Sequence, residues 1–383
     1  MMGYRVIGFC PAPEEVRETL NGRVAASDLS RLTLHEIPDQ RDLLGRWARS
    51  PLRMFRALWM AGKYGRRLEE SLGGALPSDT RIFFGLTDLF ALRVRGLGRL
   101  AATRFTHPFV GLYFFPPIRP RSFPSRLFLD DLGFFRGDAC KGALILNEDL
   151  CADLQSRLGK PVLALPDFLV GDTVRPQADR SADGGVVVGK VRDAADGRRI
   201  VLLAGDISPR KGVLAFLELA EACRGTPWCF VVAGHLHRDA FSSGELERIQ
   251  ASASLDNVFL HLDRIESDQE FHALVASADV LHAAYPDFPH SSNQLIQSAS
   301  HQVPILVADG YVMARRVREF HLGAAVPYGD KAAMLNGLRK LMEADENWLA
   351  DFRSGCRDYC KIHSAEQFAR EAAQICLLES ARQ

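Results

Sequence analysis

Residues 200–212 read Ile-Val-Leu-Leu-Ala-Gly-Asp-Ile-Ser-Pro-Arg-Lys-Gly, and residues 213–223 continue as Val-Leu-Ala-Phe-Leu-Glu-Leu-Ala-Glu-Ala-Cys. The first five residues form an apolar run of strand length. A Gly- and Pro-containing loop follows, and then a segment of good helix formers. Gly205 allows close approach to the backbone, and the coming helix start offers unpaired N–H groups and positive potential. Lys211 adds a mobile charge. The stretch therefore reads as a strand–loop–helix that binds a phosphate, or as an ordinary one with an exposed lysine. The GxxxxGK[ST] spacing is absent, so it is not a P-loop.

The same alternation extends in both directions. Strand-like runs recur at 228–233, 258–262, 280–284 and 303–308, with helical segments at 239–251, 268–276, 292–301 and 332–342. Upstream, strand-like runs occupy 4–10, 81–85, 109–115, 142–146 and 161–165, with helical stretches at 16–20 and 149–158. Strands alternating with helices predict two α/β domains with mainly parallel sheets, and a ligand cleft where strand C-termini converge. The predicted boundaries are an N-terminal domain at 1–170, a Gly-, Asp- and Arg-rich linker at 171–198 in which 185–191 reads either as linker or as a short strand, a second domain at 199–360, and a C-terminal helix at 361–383 returning to the first domain.

The 383 residues carry 47 Lys and Arg against 47 Asp and Glu, which argues against bulk nucleic-acid binding. The balance conceals an asymmetry. Residues 1–170 hold 24 basic and 18 acidic side chains, a net of +6, and the remainder a net of −6. None of the eight cysteines forms a CxxC pair. With no secretory pattern and no apolar run of bilayer length, a reducing, cytoplasmic setting is expected. Cys356 and Cys360, one helical turn apart, read as ordinary helix residues, since two ligands do not complete a zinc site.

A second motif lies at 285–300, Tyr-Pro-Asp-Phe-Pro-His-Ser-Ser-Asn-Gln-Leu-Ile-Gln-Ser-Ala-Ser. Ser291, Ser292 and Asn293 precede a helix that starts near Gln294. They read either as caps or as an anion site. Gln297 lies one turn into that helix.

In order and spacing, residues 200–330 resemble the C-terminal domain of glycosyltransferase family 4. The segment Gly205 to Gly212 resembles its diphosphate loop, Val231-Val-Ala-Gly234 its second strand and glycine turn, Ala276-Ser-Ala-Asp-Val-Leu281 its Ala-Asp-Val strand entry, and Ser292 to Ala308 its Glu-x7-Glu helix and following strand. Residues 143–168 resemble the last strand–helix–strand of the first domain. The resemblance implies the GT-B fold, two doubly wound Rossmann-like domains facing a central cleft. It also implies a retaining, nucleotide-sugar-dependent transferase needing no bound metal or other cofactor. Its implied donor contacts are Gly205, Arg210, Lys211, Gly234, His235, Arg264, Ile265, Ser291, Ser292, Asn293 and Gln297, with Lys211 and Asp287 carrying the chemistry.

Departures are visible. The family's diphosphate Arg falls on Asp206, a charge reversal. Its second Glu falls on Gln297, and its first on Pro289, with Asp287 the nearest replacement. These changes keep a second reading open, a non-catalytic GT-B protein that binds a nucleotide or a partner.

On the acceptor side, a glycan or lipid-linked molecule is expected, with Asp88 and Phe115 as contacts. The product would be a bacterial surface polysaccharide or glycolipid. The basic, aromatic segment 44–72 reads as a helix lying either on an anionic membrane at its inner face or on the sheet. The Phe- and Arg-rich segment 105–136 reads either as a seat for a lipid-linked sugar or as a buried strand and basic loop.

Overall fold

The computed structural model describes residues 6–10, 13–21, 26–36, 82–84, 87–88, 95–105, 108–118, 129–169 and 185–377, with isolated positions between 59 and 70. The chain divides into two compact units, 1–165 with 369–383, and 166–368. Most of segment 44–72 and residues 119–128 and 170–184 lie outside the described residues. Among the described residues no helix is long and apolar enough to cross a membrane.

In the first unit, β1 (Val6–Cys10) and β2 (Leu32–Glu36) form a parallel pair. The strands β3 (Ile82–Phe84), β4 (Phe109–Tyr113), β5 (Cys140–Ile145) and β6 (Val162–Ala164) form a parallel sheet in that order. Every residue of β4 is buried, as expected for a central parallel strand covered on both faces. The aromatic segment supplies the core here. Phe105 meets Phe109 edge-on at 5.4 Å, Phe109 lies 5.4 Å from Phe134, and Tyr113 stacks on Phe135 at 4.8 Å. Each such buried ring contributes ~1.5–3 kcal/mol. Lys160 closes the turn before β5 by donating to the carbonyls of Phe135, Gly137 and Cys140 at 2.8, 2.6 and 2.6 Å.

The second unit contains β7 (Arg199–Ala204), β8 (Trp228–Ala233), β9 (Val258–His261), β10 (Val280–Ala283), β11 (Ile305–Ala308) and β12 (Gly323–Val326). They form one parallel sheet in the order β12-β11-β10-β7-β8-β9. Progress along the sheet reverses between β7 and β10. Such a switch point opens a crevice at the strand C-termini.

The structure corrects the linker reading. Val186–Ala195 is an α-helix, not a short strand, and belongs to the second unit. Its buried residues Val187, Val188, Val191 and Ala195 follow helical spacing, so packing overrides the β preference of three adjacent valines. Glu270 caps it from another helix, accepting from the Val187 N–H at 2.7 Å. The helix expected at 239–251 begins at Ser243, after a capping box of Ser242 and Glu245. The strands β2 and β12 and the helices Val312–Glu319 and Glu346–Ile362 were not expected from the apolar pattern. Cys356 and Cys360 lie on the last of these, and Cys360 Sγ sits 3.7 Å from Ser300 Oγ.

Three histidines of this unit are held neutral by burial. His282, on β10 with no partner for either ring nitrogen among the described residues, is pushed down to about 3. His301 is pushed down to about 4 by burial and then by His272, and His290 to about 4 by burial and then by Arg210. These folded values lie below the unfolded one, so the unfolded chain binds more protons as pH falls. Stability is then full above about pH 6.5 and is lost as pH drops toward 4, by up to about 1.4 kcal/mol per pH unit for each histidine. Urea unfolding at about pH 7.5 and 5 measures this slope. His282→Leu should reduce it by roughly a third and raise stability at the lower pH; an unchanged slope would refute the assignment.

Candidate functional site

The loops after β7 and β8 are interlocked by backbone pairing. The Gly205 N–H donates to Ala233 O at 2.9 Å, Ile207 N–H to His235 O at 2.8 Å, and His237 N–H to Ile207 O at 3.0 Å. Gly205 and Gly234 both have positive φ, 95° and 137°. A Cβ on Gly234 would stand 2.1 Å from Gly205 O, so only glycine allows this approach.

Beyond Gly205 the chain makes a 3₁₀ turn, Pro209–Lys211, and enters the helix Val213–Ala222 through Gly212. A Cβ on Gly212 would lie 3.2 Å from Ala284 O and 3.3 Å from both Pro286 Cδ and Tyr328 Cε2. The β7 loop is therefore pressed against the β10 loop, at the switch point. Lys211 turns back into this junction. Its side chain is 6% exposed, and its Nζ donates to Ala204 O and sits 5.8 Å from the Tyr285 ring centroid. A Cβ on Gly205 would meet that Nζ at 2.9 Å. Among the described residues no carboxylate pairs with Lys211. Arg210 is exposed and lies over the Phe288 ring at 4.9 Å. Tyr328 is pushed up by burial, then by Glu218 and Asp287, so its hydroxyl stays a donor.

Gly205, Arg210, Lys211 and Asp287 are thus gathered around one junction, with Gly234 and His235 on the neighbouring loop. Asp287 is exposed with a positive φ of 43°. Asp206, the reversed charge, is 73% exposed and pairs with His237 at 3.4 Å. It turns to solvent while Lys211 turns inward.

Other expected contacts are engaged elsewhere. Ser291 donates its hydroxyl proton to Asp167 Oδ2 and accepts from Arg316 at 2.6 Å. Ser292 Oγ accepts from the Gln294 N–H at 3.4 Å, and Asn293 is exposed at the start of the helix Gln294–His301. Gln297 is buried, and its Oε1 lies 3.1 Å from His272 Nδ1, which in turn lies 3.1 Å from His301 Nε2. The helix therefore directs Gln297 toward the helix Asp268–Ser277, and the geometry gives no support to a ribose contact. Arg264 pairs with the nearby Glu266 at 3.4 Å, and Ile265 packs on the apolar core.

In the first unit, Asp88 is held at the end of β4. Its carboxylate accepts from the N–H groups of Phe114 and Phe115, both at 2.9 Å. Burial raises its pKa, and those two bonds oppose the rise. The Phe115 side chain is 54% exposed. Sequence reasoning missed Tyr328, Asp167 and Arg316, which come from distant segments. The aromatic pair Tyr285 and Phe288 lay inside the second motif without an assigned role. Among the described residues no three His, Cys, Asp or Glu side chains are placed to hold a metal ion.

No protein-family model and no curated protein matches the chain by sequence. Solved structures do. An α,α-trehalose-6-phosphate synthase from Burkholderia multivorans superposes with a TM-score of 0.68 at 13% identity, covering 99% of this chain and 98% of that one. HepE of Anabaena, solved with UDP and glucose, gives 0.62 at 13% identity over 98% and 99%. WaaG, a glycosyltransferase of lipopolysaccharide biosynthesis, gives 0.59 at 12% identity over 97% and 99%. With one four-stranded and one six-stranded parallel sheet, each in its own α/β unit, the chain has the GT-B fold of these glycosyltransferases.

Proposed function

We propose that the chain is a retaining glycosyltransferase of hexosyltransferase type. It would move a sugar from a nucleotide-sugar donor to a glycan or lipid-linked acceptor, in the synthesis of a bacterial surface polysaccharide or glycolipid. The observation that carries this is the Lys211 amine, buried at the β7–β10 switch point beside Gly205 and without a carboxylate partner among the described residues. A buried ammonium is costly unless something compensates its charge. A donor diphosphate at the crevice would compensate it, aided by the N-terminal N–H groups of the helix Val213–Ala222 and by Arg210. The likeness to HepE, solved with UDP and glucose, supports the same reading.

In this mechanism the acceptor hydroxyl attacks the anomeric carbon on the face from which the nucleotide leaves. The sugar–oxygen bond electrons pass to the departing diphosphate, which takes the acceptor's proton. No protein nucleophile is needed. The protein stabilises the charge developing on the leaving group, and Lys211 and Arg210 supply that positive charge without a metal ion. The engagement of Ser291 and Gln297 within the protein favours a second reading, a nucleotide-binding module without turnover. Thermal-shift measurements against UDP-, GDP- and ADP-sugars, followed by a transfer and hydrolysis assay, separate them. One nucleotide class should stabilise the protein by about 2–3 kcal/mol near a hundredfold excess over Kd, with release of sugar. Binding without turnover selects the second reading, and binding of no nucleotide defeats both.

A further inference from the structure

A buried polar cluster joins four segments of the second unit. Asp167, just beyond β6, accepts from Ser291 Oγ–H and lies 3.3 Å from Arg316 Nη1. The same Nη1 donates to Ser291 Oγ at 2.6 Å and to Tyr359 Oη at 3.4 Å. The Asp167 backbone N–H donates to His363 Nδ1 at 3.1 Å, and His363 stacks on Tyr359 with ring centroids 4.0 Å apart. The side chains of Arg316 and Asp167 are 3% and 9% exposed.

Apolar side chains of similar volume would pack such a position as well as an ion pair does, because desolvation offsets most of the Coulomb attraction. What an apolar pair cannot do is hold a hydroxyl by both its proton and its lone pair. Ser291 is held in that way. It sits near the end of the loop that leaves β10 at the switch point, carries Phe288 under Arg210 and the left-handed Asp287, and enters the helix Gln294–His301.

We infer that Asp167 and Arg316 are positioning residues. Through Ser291 they clamp the loop 286–293, the β10 side of the donor site, in its ligand-ready form. This rests on the donor-site reading above, but the clamp has a readout of its own. Two variants test it. Ser291→Ala cuts the link and leaves Asp167 and Arg316 paired. Asp167→Leu combined with Arg316→Met replaces the ion pair by apolar groups and avoids leaving one charge buried alone. In both, amide hydrogen exchange in 286–293 should accelerate about tenfold or more, with β7 and β10 unchanged. Ser291→Thr, which keeps the hydroxyl, should restore slow exchange. Affinity for whichever of UDP, GDP or ADP the wild type binds should fall about tenfold in the first two variants and recover in the third. Accelerated exchange in a protein that binds none of the three nucleotides would keep the clamp and discard the donor reading. Unchanged exchange in either variant, folded by calorimetry, overturns the clamp.

Discussion

Replacing Lys211 with Met is expected to lower kcat/KM for sugar transfer or donor hydrolysis by a factor of about 10² to 10³, the range for removing one charge-stabilising group from a developing anion. The stem of Lys211 is buried between the β7 and β10 loops, and Met keeps that apolar contact while deleting the ammonium. The variant forfeits one hydrogen bond to Ala204 O, a loss of about 1–2 kcal/mol, partly offset because a buried charge disappears. Melting should therefore shift by a few degrees, while turnover nearly vanishes. Calorimetry and a donor-hydrolysis assay on the same preparation read both quantities. Turnover at the wild-type level would remove Lys211 from the chemistry and, with it, the argument for the donor site.

A large stability effect is expected at Gly234. A methyl group there meets the Gly205 carbonyl at 2.1 Å, and that oxygen belongs to a backbone fixed by pairing with β8. The strand ends must separate, and the residue also keeps an unfavourable φ of 137°. Overpacking and backbone strain together cost about 3–5 kcal/mol, on the order of 10 °C in melting temperature for a unit of this size. Gly225 offers the control. Its φ is 77°, but nothing stands within 4 Å of the place a methyl would take, so Gly225→Ala isolates the backbone penalty of about 1–2 kcal/mol. Equal melting temperatures for the two alanine variants would show that the close approach is not what fixes glycine at 234.

The strands around the switch point were legible because parallel strands covered on both faces are written as unbroken apolar runs, as in Trp228–Ala233 and Val280–Ala283. The edge strand β12 is Gly-Ala-Ala-Val and carries almost no such signal. The helix Val186–Ala195 was hidden by its valines, although its buried positions repeat every three to four residues. At the site, the glycine loop and Lys211 were legible because they are contiguous in sequence. The engagement of Ser291 was not, because its partners lie 124 residues upstream and 25 downstream, and no local pattern encodes that meeting. Gln297 was assigned from its place along a helix, whereas its direction is set by His272 on a different helix.

The opposite orientations of Asp206 and Lys211 bear on how this chain's descendants can vary. Gly234 leaves no room for a Cβ against the Gly205 carbonyl, Gly205 holds a left-handed φ beside the Lys211 amine, and Lys211 carries the buried charge, so drift at any one of them is expected to be purged. Asp206 stands in water with an exposed histidine for company, and is free to become Asn, Ser or Arg without disturbing the sheet. Related sequences should therefore be traced through the spaced triplet of Gly205, Lys211 and Gly234. A search keyed to the residue at 206 would lose true kin at the first neutral substitution.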